Sequence, residues 1–275
     1  MRPVGLHLRL TDSLPDLLEK ALRLKLSTFQ SFLTYSKSAQ SRVYFTNTLI
    51  KQFLQLRREH FKDIYAHASY WVNLSNKEHN GMHVLAQEIR LAHRLEFTHL
   101  VLHPGTAHES APRLEGINVL AYNLNELHKK ERSLIFVLEN TAHGNLSIGG
   151  DLEDFELLLE RLDQPERIKF CIDTAHAYSF GYDLCDQEKR TQFIELAQRI
   201  CGDQLVLLHA NDTLEKCGSK IDKHAIIGTG NIGSSLQQIL NHPYMVNIPI
   251  ILELPVVTEQ DEVAALERLH DWIKN

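Results

Sequence analysis

Eight short apolar runs alternate with eight amphipathic segments along the whole chain, and this alternation limits the possible folds more than any other feature. The apolar runs occupy residues 4–8, 28–33, 63–67, 99–103, 134–139, 168–173, 205–209 and 249–253. Residues 13–26, 46–60, 77–95, 112–130, 152–162, 186–200, 234–240 and 259–273 carry apolar side chains at helical spacing. A strand that is apolar along its whole length belongs in a sheet covered on both faces, the condition that parallel β–α–β units create. Eight strand–helix pairs predict an α/β fold closed into a (β/α)8 TIM barrel rather than an open sheet. Such a barrel takes about 250 residues, so a single catalytic domain is expected to use the full 1–275 span.

Six of the eight runs end on a residue able to ligate a metal: His67, His103, Glu139, Asp173, His209 and Glu253. A parallel barrel gathers the carboxyl ends of its strands around one mouth, so these six side chains should converge. One polar strand end is commonplace as a cap; six in the same relative place are not. Imidazoles and carboxylates together suit zinc or a similar divalent ion. Two local patterns enlarge the set. In Ile172-Asp173-Thr174-Ala175-His176 a second imidazole follows the strand-end carboxylate by one turn, and Asp222-Lys223-His224 places two donors on one face of an extended segment. His176, Asp222 and His224 would together make an open, three-ligand zinc site. Nine candidate ligands exceed the needs of one ion. A carboxylate such as Glu139 can bridge two ions, and that stoichiometry, with a third ion at the leaving oxygen, suits phosphodiester hydrolysis better than proton transfer on a sugar.

The formal net charge of −6 excludes a protein that coats nucleic acid by bulk charge, although ions at the mouth would offset it locally. No two of Cys171, Cys185, Cys201 and Cys217 form a Cys-x-x-Cys pair, which disfavours a thiolate zinc site; all four are expected to be reduced and structural. The amino terminus lacks the apolar run of a signal peptide and no stretch reaches about 18 apolar residues, so the expectation is a cytoplasmic protein outside the membrane, monomeric by default. Histidines on helices or loops (His79, His83, His93, His128 and His270) read as solvated. Residues 211–233 form the one long irregular stretch, the usual signature of a functional loop. Within it, Gly228-Thr229-Gly230-Asn231-Ile232-Gly233 has dinucleotide-binding spacing but does not close a first strand–helix turn. A glycine turn entering the next helix, with backbone amides near a phosphate, is the better reading.

The motifs in their order resemble those of the endonuclease IV family of apurinic/apyrimidinic endonucleases. The resemblance rests on His103-Pro104-Gly105, Leu138-Glu139-Asn140-Thr141-Ala142, Cys171-Ile172-Asp173-Thr174-Ala175-His176-Ala177, Gly181-Tyr182-Asp183-Leu184, His209-Ala210-Asn211-Asp212, Gly218-Ser219-Lys220-Ile221-Asp222-Lys223-His224 and Gly230-Asn231-Ile232-Gly233. It covers residues 67–253. What it implies is a TIM barrel with three zinc ions (manganese being admissible at one site) that cuts damaged double-stranded DNA 5′ to an abasic site, leaving a 3′-hydroxyl and a 5′-deoxyribose phosphate. By the same resemblance His67, His103 and Glu139 would hold the first ion. Glu139 would bridge to a second, completed by Asp173, His209 and Glu253, and would be the catalytic carboxylate; His176, Asp222 and His224 would hold the third. Tyr70 and Trp71 stand where family members place residues that enter the kinked duplex, and Lys37, Lys220 and Lys223 are candidate phosphate contacts.

The amino-terminal third departs from the family. Leu8-Arg9-Leu10-Thr11-Asp12-Ser13 replaces a small, glycine-rich loop, Thr34-Tyr35-Ser36-Lys37-Ser38-Ala39 replaces a Lys-Asn-Pro-Arg-like run, and Thr229 stands where an acidic residue is expected. Two rival readings follow: a sugar isomerase or epimerase of the xylose-isomerase-like barrels, and a metal-stabilised module that binds damaged DNA without cutting it. The trio His176, Asp222 and His224 opposes the first, and a complete ligand set opposes the second.

Overall fold

The alternation does close into a barrel. The computed structural model describes residues 2–10, 14–33, 45–78, 81–109 and 112–273. Eight parallel strands, β1 (Val4–Leu6), β2 (Gln30–Phe32), β3 (Tyr65–His67), β4 (His99–Leu102), β5 (Ile135–Glu139), β6 (Lys169–Asp173), β7 (Leu205–His209) and β8 (Ile250–Leu252), pair in the order β1-β8-β7-β6-β5-β4-β3-β2. The last seam is a parallel bridge between His7 and Gln30, backed by Leu8 N donating to Gln30 O at 2.8 Å. Gly5 sits beside that seam for a steric reason. A Cβ there would lie 2.3 Å from Thr28 O and 2.9 Å from Ile251 Cδ1, so the strands close this tightly only around a residue without one.

The helices are α1 (Leu14–Arg23), α2 (Asn47–His60), α3 (Met82–Arg94), α4 (Arg113–Lys130), α5 (Glu153–Leu159), α6 (Thr174–Phe180), α7 (Gln187–Cys201), α8 (Ser235–Leu240) and α9 (Glu259–Trp272). Polar caps start several of them: Thr46 for α2, Asp186 for α7, and a reciprocal capping box between Thr258 and Asp261 for α9. The sequence pattern opened α3 at residue 77; the helix begins at Met82 instead, because Gly81 at φ +64° is left-handed and cannot continue a helix. Helix α6 was not expected at all. Asp173 caps it by accepting from His176 N at 2.8 Å, and Gly181 ends it.

Two cores hold the barrel. Between strands and helices lies the larger one, which includes Phe53, Phe97, Phe155, Phe170 and Phe193. Inside the barrel a smaller cluster comprises Tyr65, Val101, Val137, Cys171, Leu207 and Ile251. Each of these six stands two positions before one of the six strand-end donors. Alternate residues of a strand share a face, so the donors enter the same lumen one layer higher, above a floor that keeps water out.

Cys171 and Cys201 are buried, Cys185 and Cys217 are exposed, and all four are free. One histidine corrects its reading: His128 on α4 is only 4% exposed, its ring 5.7 Å from that of Phe136. The helix turns it inward, where neither ring nitrogen has a hydrogen-bond partner. Among the described residues no helix is long and apolar enough to cross a membrane.

Candidate metal centre

All nine donors chosen from the sequence meet at the carboxyl end of the barrel. Three groups have ligand atoms within 4.8 Å of one another: His67, His103 and Glu139; Glu139, Asp173, His209 and Glu253; and Asp173, His176 and His224. Asp222, the ninth, places Oδ1 3.0 Å from His176 Nε2 and 3.3 Å from His224 Nε2. The third group thus has two carboxylates beside its imidazoles, since Asp173 Oδ2 is 3.5 Å from His224 Nε2. Glu139 is the hub. It is fully buried, with Oε2 3.1 Å from His67 Nε2 and 3.3 Å from His103 Nε2, and Oε1 2.9 Å from His209 Nδ1.

Whether a metal fits can be tested on these distances. Donors about 2.0 Å from a tetrahedral zinc stand about 3.3 Å from one another. The nitrogen–oxygen separations quoted run from 2.9 to 3.5 Å. Nε2 of His176 and Nε2 of His224 are buried and face carboxylate oxygens at 3.0–3.5 Å without a well-formed hydrogen bond, an arrangement that a cation between them would satisfy. Both observations fit.

Further groups aim the donors. His67 Nδ1 donates to Ala68 O at 2.8 Å, and His176 Nδ1 donates to Asn140 O at 2.8 Å. Gln30 accepts from His209 Nε2 at 3.0 Å and donates to Glu253 Oε1 at 2.6 Å, where His7 Nδ1 also donates at 2.9 Å. Asn211 donates to Asp173 Oδ2 at 2.6 Å and accepts from Glu253 N at 2.8 Å; Asn140 accepts from Asp173 N at 2.6 Å. Sequence reasoning missed Gln30, His7, Asn140 and Asn211. The signal existed, because His7 is the one polar residue of the run 4–8, Gln30 lies in the middle of the run 28–33, and Asn140 and Asn211 follow donors within two positions.

The charges are mutually balanced. Burial would raise the Glu139 pKa, but His209, His103 and His176 outweigh it and hold the carboxyl well below its usual range. Burial would likewise neutralise His176, yet Asp173, Asp222 and Glu139 raise its pKa well above the ordinary value. Asp222 is held far down by His176 and His224 against its own desolvation.

At the rim, Tyr70 and Trp71 are 62% and 55% exposed. The Tyr70 ring lies 5.6 Å from Phe32 and 5.8 Å from His103. A cleft of about 650 Å³ opens beside it, lined by His7, Arg9, Phe32, Tyr70, Lys223 and Val256 among others. Lys220 turns elsewhere: its ammonium donates to Phe180 O and lies 3.2 Å from the centre of that ring. Lys37 lies outside the described residues. The glycine turn also departs from expectation. Asp212 Oδ2 accepts from Gly228 N at 3.0 Å and Gly230 N at 2.9 Å, and its Oδ1 accepts from Ile232 N at 3.0 Å. Those amides wrap a buried carboxylate of the chain itself and are not free for a phosphate. Gly230 has to be glycine, since a Cβ would lie 2.4 Å from Thr213 O.

Comparison with known proteins agrees with this geometry. Residues 18–275 match the family described as xylose isomerase-like TIM barrel. A probable endonuclease 4 of Halorhodospira halophila is 35% identical over 217 residues, 75% of this chain and 73% of that protein. An apurinic-apyrimidinic endonuclease 1 of Plasmodium berghei is 31% identical over 231 residues, 81% of this chain and 45% of that longer protein. The crystal structure of endonuclease IV from Thermus thermophilus superposes with a TM-score of 0.84 at 28% identity, covering 98% of each chain.

Proposed function

This chain belongs to the endonuclease IV family of xylose isomerase-like TIM barrels and is a hydrolase, a nuclease, and we propose that it cuts duplex DNA on the 5′ side of abasic sites. The observation that carries this reading is the convergence of three donor groups that share Glu139 and Asp173. In the proposal His67, His103 and Glu139 hold one zinc ion, Glu139, Asp173, His209 and Glu253 a second, and His176, Asp222 and His224 a third, with manganese admissible at one of them. Bound there, the ions would supply Lewis-acid polarisation and neutralise charge at a phosphodiester.

The side chains have distinct tasks in this scheme. Glu139 joins the first two groups through its two oxygens, and the imidazoles packed around it keep it charged in dry surroundings. Gln30 holds Glu253 by Oε1 and leaves its Oε2 toward His209, while Asn211 fixes Asp173 through Oδ2. Tyr70 and Trp71 are exposed aromatics beside the mouth, suited to fill the gap left by a missing base. Lys223 and Arg9 put positive charge on the wall of the adjoining cleft, where a flanking phosphate would run. The products would be a 3′-hydroxyl and a 5′-deoxyribose phosphate, and the same centre could trim blocked 3′ ends. The sugar-isomerase reading is disfavoured by the third group, which stands ready beyond the one or two ions such chemistry uses.

The test is incision of a labelled duplex carrying one tetrahydrofuran abasic analogue, beside an undamaged duplex, with zinc measured on the same sample. Cutting 5′ to the analogue alone, with about three zinc per chain, is the expected result. A fully metallated protein that leaves the analogue intact would remove the abasic-site reading.

A further inference from the structure

We infer that His143 is a positioning residue for His103, and through it for the ion that the first donor group would hold. The inference rests on the metal reading above. Five imidazoles belong to the nine donors, and each turns one nitrogen toward the carboxylates. A ligating imidazole needs an acceptor for the N–H on its other nitrogen, because that bond sets the tautomer and the ring orientation. Four of the five meet a carbonyl oxygen: His67 that of Ala68 at 2.8 Å, His176 that of Asn140 at 2.8 Å, His224 that of Glu253 at 3.2 Å, and His209 that of the Gln30 side chain at 3.0 Å. A carbonyl oxygen can only accept, so those four tautomers are decided by the acceptor. His103 is the exception. Its Nδ1 faces His143 Nε2 at 3.2 Å.

Position supports the role. His143 follows Glu139 by four residues, on the loop after β5. Gly144 N donates to Lys220 O at 3.2 Å, which ties that loop to the segment carrying Asp222. His143 Nε2 is accordingly also 3.4 Å from Asp222 Oδ2, and its ring centre is 5.2 Å from that of His103 and 6.0 Å from that of His176. The ring lies between the first and third donor groups, and with Nε2 as the acceptor for His103 its approach to Asp222 is a contact and not a hydrogen bond. When His103 turns Nε2 toward a cation, Nδ1 carries the proton and His143 Nε2 accepts it. The His143 side chain is 38% exposed.

Zinc release measured against graded chelator tests this on the parent protein, His143→Phe and His143→Gln, with thermal melts of the metal-free forms. The expected result is that the Phe variant melts like the parent but loses one ion at about 10- to 100-fold lower chelator strength, the other ions being unmoved. His143→Gln, which restores an amide oxygen as acceptor, should release zinc near the parent's range. A Phe variant that holds all its zinc like the parent overturns the inference, and so does a Phe variant in which every ion loosens together. A parent that binds no zinc overturns the metal reading itself, and this inference with it; a fully loaded parent beside an unmoved Phe variant overturns this inference alone.

Discussion

Two layers of the same six strands behave in opposite ways. Tyr65, Val101, Val137, Cys171, Leu207 and Ile251 form an apolar floor across the lumen. Two residues later, on the strand or one position past its end, stand His67, His103, Glu139, Asp173, His209 and Glu253. Both layers face inward, so the difference lies in what closes over them. The floor is covered by more barrel and gains stability from dry packing. The upper layer is sealed only from below and from the sides, so its carboxylates and imidazoles are desolvated without losing access to the mouth. One strand pattern therefore supplies both a hydrophobic base and a charged centre, and the two should fail separately.

Metal removal should separate them most sharply. Prolonged chelation is expected to reduce incision to background while the barrel keeps its far-ultraviolet circular dichroism, and added zinc should restore cutting. Full activity in protein shown to be metal-free would contradict the division. Glu139→Gln comes next, with incision slowed roughly 10³-fold or more in a folded protein, as read from single-turnover kinetics and a thermal melt. In the floor, Leu207→Ala should invert that result. It should cost about 2–4 kcal/mol of stability in denaturant titration yet leave incision within a few-fold well below the melting temperature. A collapse of activity with little change in stability would mean that the layers are one unit.

The smallest effect concerns histidines. Those at the mouth are paired with carboxylates, whereas His128 is buried with both nitrogens unpartnered, and burial, helped by the nearby Arg167, pushes its pKa down to about 4. Its folded pKa lies below the unfolded value near 6.5. The unfolded chain therefore binds the extra proton first as the pH falls. The stabilising contribution is complete above about 6.5 and is lost between there and about 4, on the order of 3 kcal/mol. His128→Leu should flatten this part of the stability profile in denaturant titrations at pH 7 and pH 4.5. An unchanged acid slope would show that His128 is not its source.

Much of the centre was legible in the chain. Helices were placed to within a residue or two at starts such as α2 behind Thr46 and α4 behind Pro112. The six strand-end donors were legible because a strand's two-residue period ties them to the apolar residues before them. Helix α6 was not, since Asp173 reads equally as a ligand and as a cap and turns out to be placed for both. Nor was the engagement of Lys220 by Phe180 or of the glycine turn by Asp212, where nearby groups satisfy atoms that looked free for a substrate.

Local order along the chain was enough for the barrel, its mouth and the six strand-end candidates, because strand and helix periods depend only on neighbouring residues; His176, Asp222 and His224 rested on short-range spacing and on the family resemblance. The contacts behind and between the donors needed tertiary structure. The register shift between Phe170 and Cys171 on β6 brings Asp173 opposite His209, and no pattern in the sequence marks that shift. Gln30 reaches His209 across 179 residues of chain, and His143 reaches His103 across 40. What the second nitrogen of each imidazole meets depends on strand stagger and loop closure between distant segments, and those are set only when the barrel shuts.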